Sequence, residues 1–113
     1  MRPLLHPAMD DVRLETILHA LSDPARAAIF AEIAGAACSQ TCVAVAGVAG
    51  HDIPKSSLSQ HFKVLREAGL IRSERRGVEM HNTSRCAEVN ERFPGLLPAI
   101  LSAQTRQAEA NSR

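Results

Sequence analysis

The spacing of apolar residues before position 69 constrains the fold of this chain more than any other sequence feature. Leu58, Phe62 and Leu65 recur on one face at helical periodicity, which predicts an amphipathic helix over residues 54–68. Gly69 follows at once, at the position where a glycine with a left-handed backbone ends many helices. Because such a helix must bury its apolar face, the rest of the chain is expected to fold around it.

The periodicity changes from helical to alternating directly after this helix. Residues 71–75 and 78–82 are read as two strands on the period-two alternation of their side chains. Arg76 and Gly77 lie between these strands and predict the turn of a β-hairpin.

Helical spacing and capping residues predict four further helices. They are expected over residues 12–20, 24–35, 42–48 and from residue 96 onward. Pro24 follows Ser22 and Asp23 and suits the first position of a helix, where a missing N–H costs nothing. Asp11 is the expected N-cap of the first helix. Residues 36–41 are expected to form a loop, and residues 83–90 a polar link.

This order of elements predicts a mainly α fold with a small β-hairpin (α+β), arranged as a winged helix-turn-helix in the order α-α-α-α-β-β-α. The length of 113 residues allows one domain. We expect a flexible arm over residues 1–11, a single domain over residues 12–113, and a frayed polar tail from residue 104.

Apolar stripes on the first and last predicted helices indicate a homodimer. The stripes consist of Leu14, Ile17, Leu18 and Leu21 on one helix and Leu96, Leu97, Ile100 and Leu101 on the other. A monomer this small is not expected to cover both, and a twofold dimer would bury them.

Charge is distributed unevenly, although the net charge is only +1. The basic residues between positions 55 and 85 are Lys55, Lys63, Arg66, Arg72, Arg75, Arg76 and Arg85. The acidic residues there are Glu67, Glu74 and Glu79. One basic region in a neutral chain is typical of a surface that binds the phosphates of duplex DNA.

The candidate DNA-binding residues lie on the predicted helix, mainly on its face opposite the apolar stripe, and at the hairpin tip. They are Lys55, Ser56, Ser57, Ser59, Gln60, His61 and Lys63 on the helix and Arg75 and Arg76 on the hairpin. Short serine side chains let a helix approach base edges in the major groove, and glutamine can pair with adenine. His61, nearer the apolar stripe, is expected to be structural or to touch phosphate rather than read a base.

Residues 54–73, PKSSLSQHFKVLREAGLIRS, resemble the recognition helix and wing of the arsenic-repressor (ArsR/SmtB) family. Residues 21–26, LSDPAR, resemble the opening of that family's second helix. The resemblance extends over about residues 12–101. It implies a dimer joined through its first and last helices, repression of a nearby operon, and release from the operator when an inducer binds.

The sensor motif departs from this family's pattern. Residues 42–46 read CVAVA where the family's metal-binding motif is Cys-Val-Cys-Asp-Leu, so the second thiol and the aspartate are missing. The metal is therefore unknown. Cys38 and Cys42, four residues apart, are candidates for a redox or electrophile sensor. Cys42 lies near the N-terminus of a predicted helix, which lowers a thiol pKa and raises its reactivity. Alternatives are an arsenite or soft-metal site completed by Cys86, or packed cysteines without a sensory role.

Other functional classes receive less support from the sequence. An odd number of cysteines, three, and no export signal predict reduced thiols in the cytoplasm, and no apolar stretch approaches the length of a membrane span. No nucleophile–base set, glycine-rich phosphate loop or cofactor motif predicts an enzyme. The alternative of a different class is a dimeric interaction module that does not bind DNA. A salt-dependent interaction with duplex DNA distinguishes the two.

Overall fold

The computed structural model describes residues 4–35, 40–41 and 53–111. A short 3-10 helix (Met9–Asp11) comes first. The elements that follow are α1 (Leu14–Ala20), α2 (Pro24–Gly35), β1 (Gln40–Thr41), α3 (Lys55–Glu67), β2 (Ile71–Arg76), β3 (Glu79–Ser84), α4 (Cys86–Arg92) and α5 (Leu96–Asn111). This is an α+β winged helix-turn-helix, as predicted. The helix predicted over residues 42–48 lies outside the described residues.

One aliphatic core joins these elements. The apolar stripe of α3 is buried as predicted, with Leu58, Phe62 and Leu65 at most 5% exposed. It packs in one cluster with residues from the other helices and from β2, including Ile17, Ile29, Phe30, Ile71, Val89 and Leu97. None of the described helices is long and apolar enough to cross a membrane.

The corner between α1 and α2 is fixed by local capping. Asp23 Oδ1 accepts a hydrogen bond of 3.0 Å from the Arg26 backbone N–H, which makes Asp23 the N-cap of α2 with Pro24 in the first helical position. The predicted cap of α1 is wrong: Arg13 holds that position without a side-chain hydrogen bond, and Asp11 belongs to the 3-10 helix.

The end of α3 has the geometry of a Schellman motif. The Gly69 N–H donates to Arg66 O at 3.1 Å and the Leu70 N–H donates to Leu65 O at 3.1 Å. Gly69 has a φ of 80°, a conformation that L side chains rarely adopt, and a Cβ there would overlap Val12 Cγ2. Glycine is therefore required both by the backbone and by the packing of Val12.

The hairpin predicted by alternation is present and is longer than expected. β2 and β3 pair antiparallel from Ile71–Ser84 to Arg76–Glu79. The turn lies at Gly77 and Val78, one residue later than predicted, because Arg76 pairs with Glu79 in the ladder. Residues 40–41, predicted as part of a loop, form β1 and pair with β3 in a sheet of order β1-β3-β2. The prediction failed there because a two-residue strand depends on its distant partner for its hydrogen bonds.

The link predicted over residues 83–90 is also wrong, because most of α4 lies in it. The sequence of α4 is mostly polar, and Val89 is its fully buried side chain. No apolar stripe in the sequence therefore predicts this helix. The Arg85 N–H donates to Leu70 O at 2.8 Å and sets the chain direction where α4 begins. At the other end of the domain, α5 continues to Asn111, through most of the tail expected to fray.

Candidate nucleic-acid interface

The outer face of α3 carries the predicted base-reading residues. Ser56, Ser57, Ser59, Gln60 and Lys63 are all exposed, on the side of the helix away from the buried stripe. Lys55 begins the helix, and its side chain lies outside the described residues. A helix that presents three serines in its first two turns has a narrow end, which lets its backbone approach the edges of base pairs.

The inner side of α3 is held by an arginine that the sequence analysis did not single out. Arg26 is buried; its Nη2 donates to His19 O at 3.2 Å and its Nε donates to Ala20 O, so it satisfies carbonyls at the end of α1. Its Nη1 lies 3.5 Å from His61 Nδ1 on α3. The signal in the sequence that could have identified Arg26 is its position three residues after Asp23, the expected capping residue. His61 is half-buried and contacts this arginine.

The hairpin forms the wing and presents the two predicted arginines on opposite faces. Arg75 follows Ser73 on one face of β2, and Arg76 follows Glu74 on the other. Both arginines are exposed, and Arg76 Nε lies 3.5 Å from Glu74 Oε1. Val78 at the turn is 98% exposed, so the tip of the wing combines positive charge with an apolar side chain.

The basic surface is narrower than the sequence suggested. Arg85 is buried and its Nε donates to Glu88 Oε2 at 2.7 Å, so it is not available to a ligand. This pairing holds the pKa of the Glu88 carboxyl below its usual range. Lys63 lies 3.9 Å from Glu67, but both side chains are more than half exposed, so that pair is weak and screened by solvent.

Comparisons with known proteins agree with this geometry. Residues 21–74 match the model of a helix-turn-helix domain family. The fold is similar to that of an ArsR-like transcriptional regulator from Rhodococcus sp. RHA1, with a TM-score of 0.60 and 24% identity over 88% of this chain and 90% of that chain. The chain has a helix-turn-helix domain with the fold of an ArsR-like regulator. At the level of the fold, this agrees with the resemblance predicted from residues 54–73.

Two further solved structures share this ArsR-type fold. A crystal structure of an ArsR family transcriptional regulator has a TM-score of 0.60 and 21% identity, covering 93% of this chain and 97% of that chain. NolR from Sinorhizobium fredii has a TM-score of 0.54 and 21% identity, covering 82% of this chain and 97% of that chain. No curated protein sequence is significantly similar to the chain.

Of the three cysteines, the structure describes Cys86 alone. Cys38 and Cys42, the predicted sensor thiols, lie outside the described residues. Cys86 is half-buried in α4, beside a groove of about 300 Å³ that Leu97, Pro98 and Leu101 also line. Within residues 4–35, 40–41 and 53–111, no group of three His, Cys, Asp or Glu side chains is placed to hold a metal ion.

Proposed function

We propose that the protein is a sequence-specific transcriptional repressor that binds duplex DNA as a cytoplasmic homodimer. The observation that carries the proposal is the exposed polar face of α3 beside a wing that ends in two arginines. In this reading α3 lies in the major groove, where Gln60 pairs with adenine and Lys63 reaches phosphate or guanine. The wing places Arg75 and Arg76 against the adjacent minor groove or its phosphates.

Apolar side chains left open on the terminal helices support the dimer. Leu14 and Leu18 on α1 are 39% and 48% exposed. On α5, Leu96, Ile100 and Leu101 are only partly buried. A twofold axis that covers these residues would present two α3 helices to half-sites about 34 Å apart, one turn of the DNA.

Variants of α3 and the wing separate base reading from phosphate binding. We expect Gln60→Ala to weaken binding to the DNA upstream of the gene by about 1–3 kcal/mol and to relax preference at one base pair per half-site. Arg75→Ala with Arg76→Ala should instead flatten the dependence of the dissociation constant on salt and keep the sequence preference. The measurement is an electrophoretic mobility shift titration at several salt concentrations.

Glu109→Ala is the matched control, because it changes an exposed charge on α5 away from the proposed interface. A double arginine variant that keeps the parent's full salt dependence would remove the wing from the DNA. If the parent protein binds neither the DNA upstream of the gene nor an unrelated duplex, the repressor proposal is contradicted. The result would then favour the alternative, a dimeric interaction module that does not bind DNA.

For the inducer, we propose oxidation or an electrophile at Cys38 and Cys42. The position of β1 supports this: its two residues lie between the cysteines in sequence, and Gln40 and Thr41 pair with Asn82 and His81 of β3 in the wing. A strand advances about 3.3 Å per residue, so an extended chain keeps residues four positions apart too far from each other for a disulfide. A disulfide needs Cα atoms roughly 4.4–6.8 Å apart. A disulfide between the flanking cysteines therefore favours release of β1 from the wing.

Oxidant should accordingly release the DNA, and a reductant should restore binding. Cys38→Ser or Cys42→Ser should stay bound under mild oxidant, whereas Cys86→Ser should respond as the parent does. Release by arsenite or a soft cation under full reduction would favour the metal alternative. If the Cys38→Ser, Cys42→Ser double variant responds to oxidant and to arsenite as the parent does, these thiols have no sensory role and only pack in the domain. The readout is the same mobility shift assay.

A further inference from the structure

The residues before α1 contact the wing and α4. His6 Nε2 accepts a hydrogen bond of 2.9 Å from the Ser73 backbone N–H in β2. Pro7 O accepts one of 2.9 Å from Arg85 Nη1, and Val12 O accepts one of 2.9 Å from Arg92 Nε on α4. Residues 4–13 are here termed the N-terminal segment. These three hydrogen bonds attach the segment to β2, to Arg85 and to α4.

The first of these attachments covers the edge of the sheet. Since the strand order is β1-β3-β2, β2 is an edge strand, and its outward backbone N–H groups have no neighbouring strand to bind. The Ser73 N–H is one of them, and the His6 ring supplies its acceptor. Ser73 lies two residues before Arg75 on the same strand, so His6 holds the strand that carries the wing arginines.

Ser73 is also a junction inside the domain. Its Oγ donates to Asn82 Oδ1 of β3 at 2.7 Å and lies 3.5 Å from Arg66 Nη1 of α3. Ser73 and Asn82 are both buried. The contact with His6 therefore extends a polar connection that runs from the recognition helix through both strands of the wing.

This contact exists only when the His6 ring is neutral, because both nitrogens of a protonated imidazole are donors. The groups that face the ring add to the effect: Arg72 on β2, Arg66 on α3 and Arg85 before α4, with Glu88 of α4 paired to Arg85. Burial, followed by these guanidinium groups with Arg72 first, holds the pKa of His6 below its ordinary value.

We propose that neutral His6 is a positioning residue for DNA binding, which holds the wing through Ser73, and that its protonation releases the N-terminal segment and weakens the complex. This inference rests on the proposed function. The ring stays neutral in the docked state, so docking is complete above the ordinary pKa of histidine and is lost progressively as pH falls below it. A wing released at its edge has more conformational entropy. More of that entropy is lost when the wing is ordered on DNA, so the affinity is lower.

The test measures the dissociation constant of the full chain for a duplex of the DNA upstream of the gene, and for a duplex of unrelated sequence, at constant ionic strength. Between about pH 7.5 and 5.5, across the range where histidine titrates, the parent should weaken about fivefold, the net contribution of one hydrogen bond. His6→Gln should not weaken, because its amide oxygen can accept from Ser73 without titrating. His19→Gln, which changes an exposed histidine on α1, should weaken as the parent does.

A second readout follows the contact itself. The Ser73 amide protection factor, measured by hydrogen exchange with NMR detection, should fall in acid in the parent, persist in His6→Gln and be low at both pH values in His6→Ala. A parent whose affinity is unchanged or tighter in acid, or a His6→Gln variant with the parent's pH dependence, would overturn the proposal. Failure of every variant to bind either duplex at any pH would contradict the proposed function instead, and Ser73 protection would still decide whether His6 holds the wing.

Discussion

Replacement of Gly69 by alanine probes the joint between the recognition helix and the wing. The backbone at Gly69 is left-handed, with a φ of 80°, which costs an L residue roughly 1–2 kcal/mol. The new Cβ would also overlap Val12 Cγ2, and Val12 is only 3% exposed, so it has little room to move. Overpacking of this kind costs about 1–3 kcal/mol. We therefore expect Gly69→Ala to lower the free energy of unfolding by about 2–5 kcal/mol.

Gly95→Ala provides the matched control, because Gly95 has a φ of 83° and a Cβ there would meet nothing within 4 Å. It should lose only the backbone part, about 1–2 kcal/mol. The difference between the two variants measures the overlap with Val12. Adding Val12→Ala to Gly69→Ala should recover part of the loss, so that the double variant is more stable than the two single changes predict when summed.

Urea unfolding followed by circular dichroism gives these free energies, with all variants at one protein concentration because a dimer's stability depends on concentration. The reasoning fails if Gly69→Ala destabilises the domain no more than Gly95→Ala does. It also fails if Val12→Ala adds its full cost to the Gly69→Ala variant, since the overlap would then contribute nothing.

Two further predictions concern the cap of α2 and the dimer. Asp23→Ala should cost about 1 kcal/mol in urea unfolding at neutral pH, whereas Asp23→Asn keeps the cap. The hydrogen bond from the Arg26 N–H lowers the pKa of Asp23, so the stability difference between the parent and Asp23→Ala should be largest above the ordinary pKa of aspartate and should decrease as pH falls through the lowered value. Leu18→Glu should raise the dimer dissociation constant in sedimentation, because it places a charge in the proposed interface. Val78→Glu should leave that constant unchanged, and a monomeric parent that still binds its operator would contradict the dimer.

The sequence was sufficient to predict those helices whose periodicity and capping residues lie within the helix itself or directly beside it. The stripe of Leu58, Phe62 and Leu65 predicted α3, and the structure buries all three. Asp23 and Pro24 marked the start of α2, and Gly69 marked the end of α3, because capping depends on residues only a few positions apart. Spacing also placed Ser56, Ser57, Ser59, Gln60 and Lys63 on the exposed face of α3.

The tertiary structure decided what depends on residues far apart in the chain. β1 is a strand because β3 supplies its partners, and α4 is a helix although it buries a single valine fully. Arg26 meets His61 across 35 positions and His6 meets Ser73 across 67. Lone polar residues like these carry no periodicity, so their roles arise only when folding brings a donor and an acceptor within hydrogen-bonding distance.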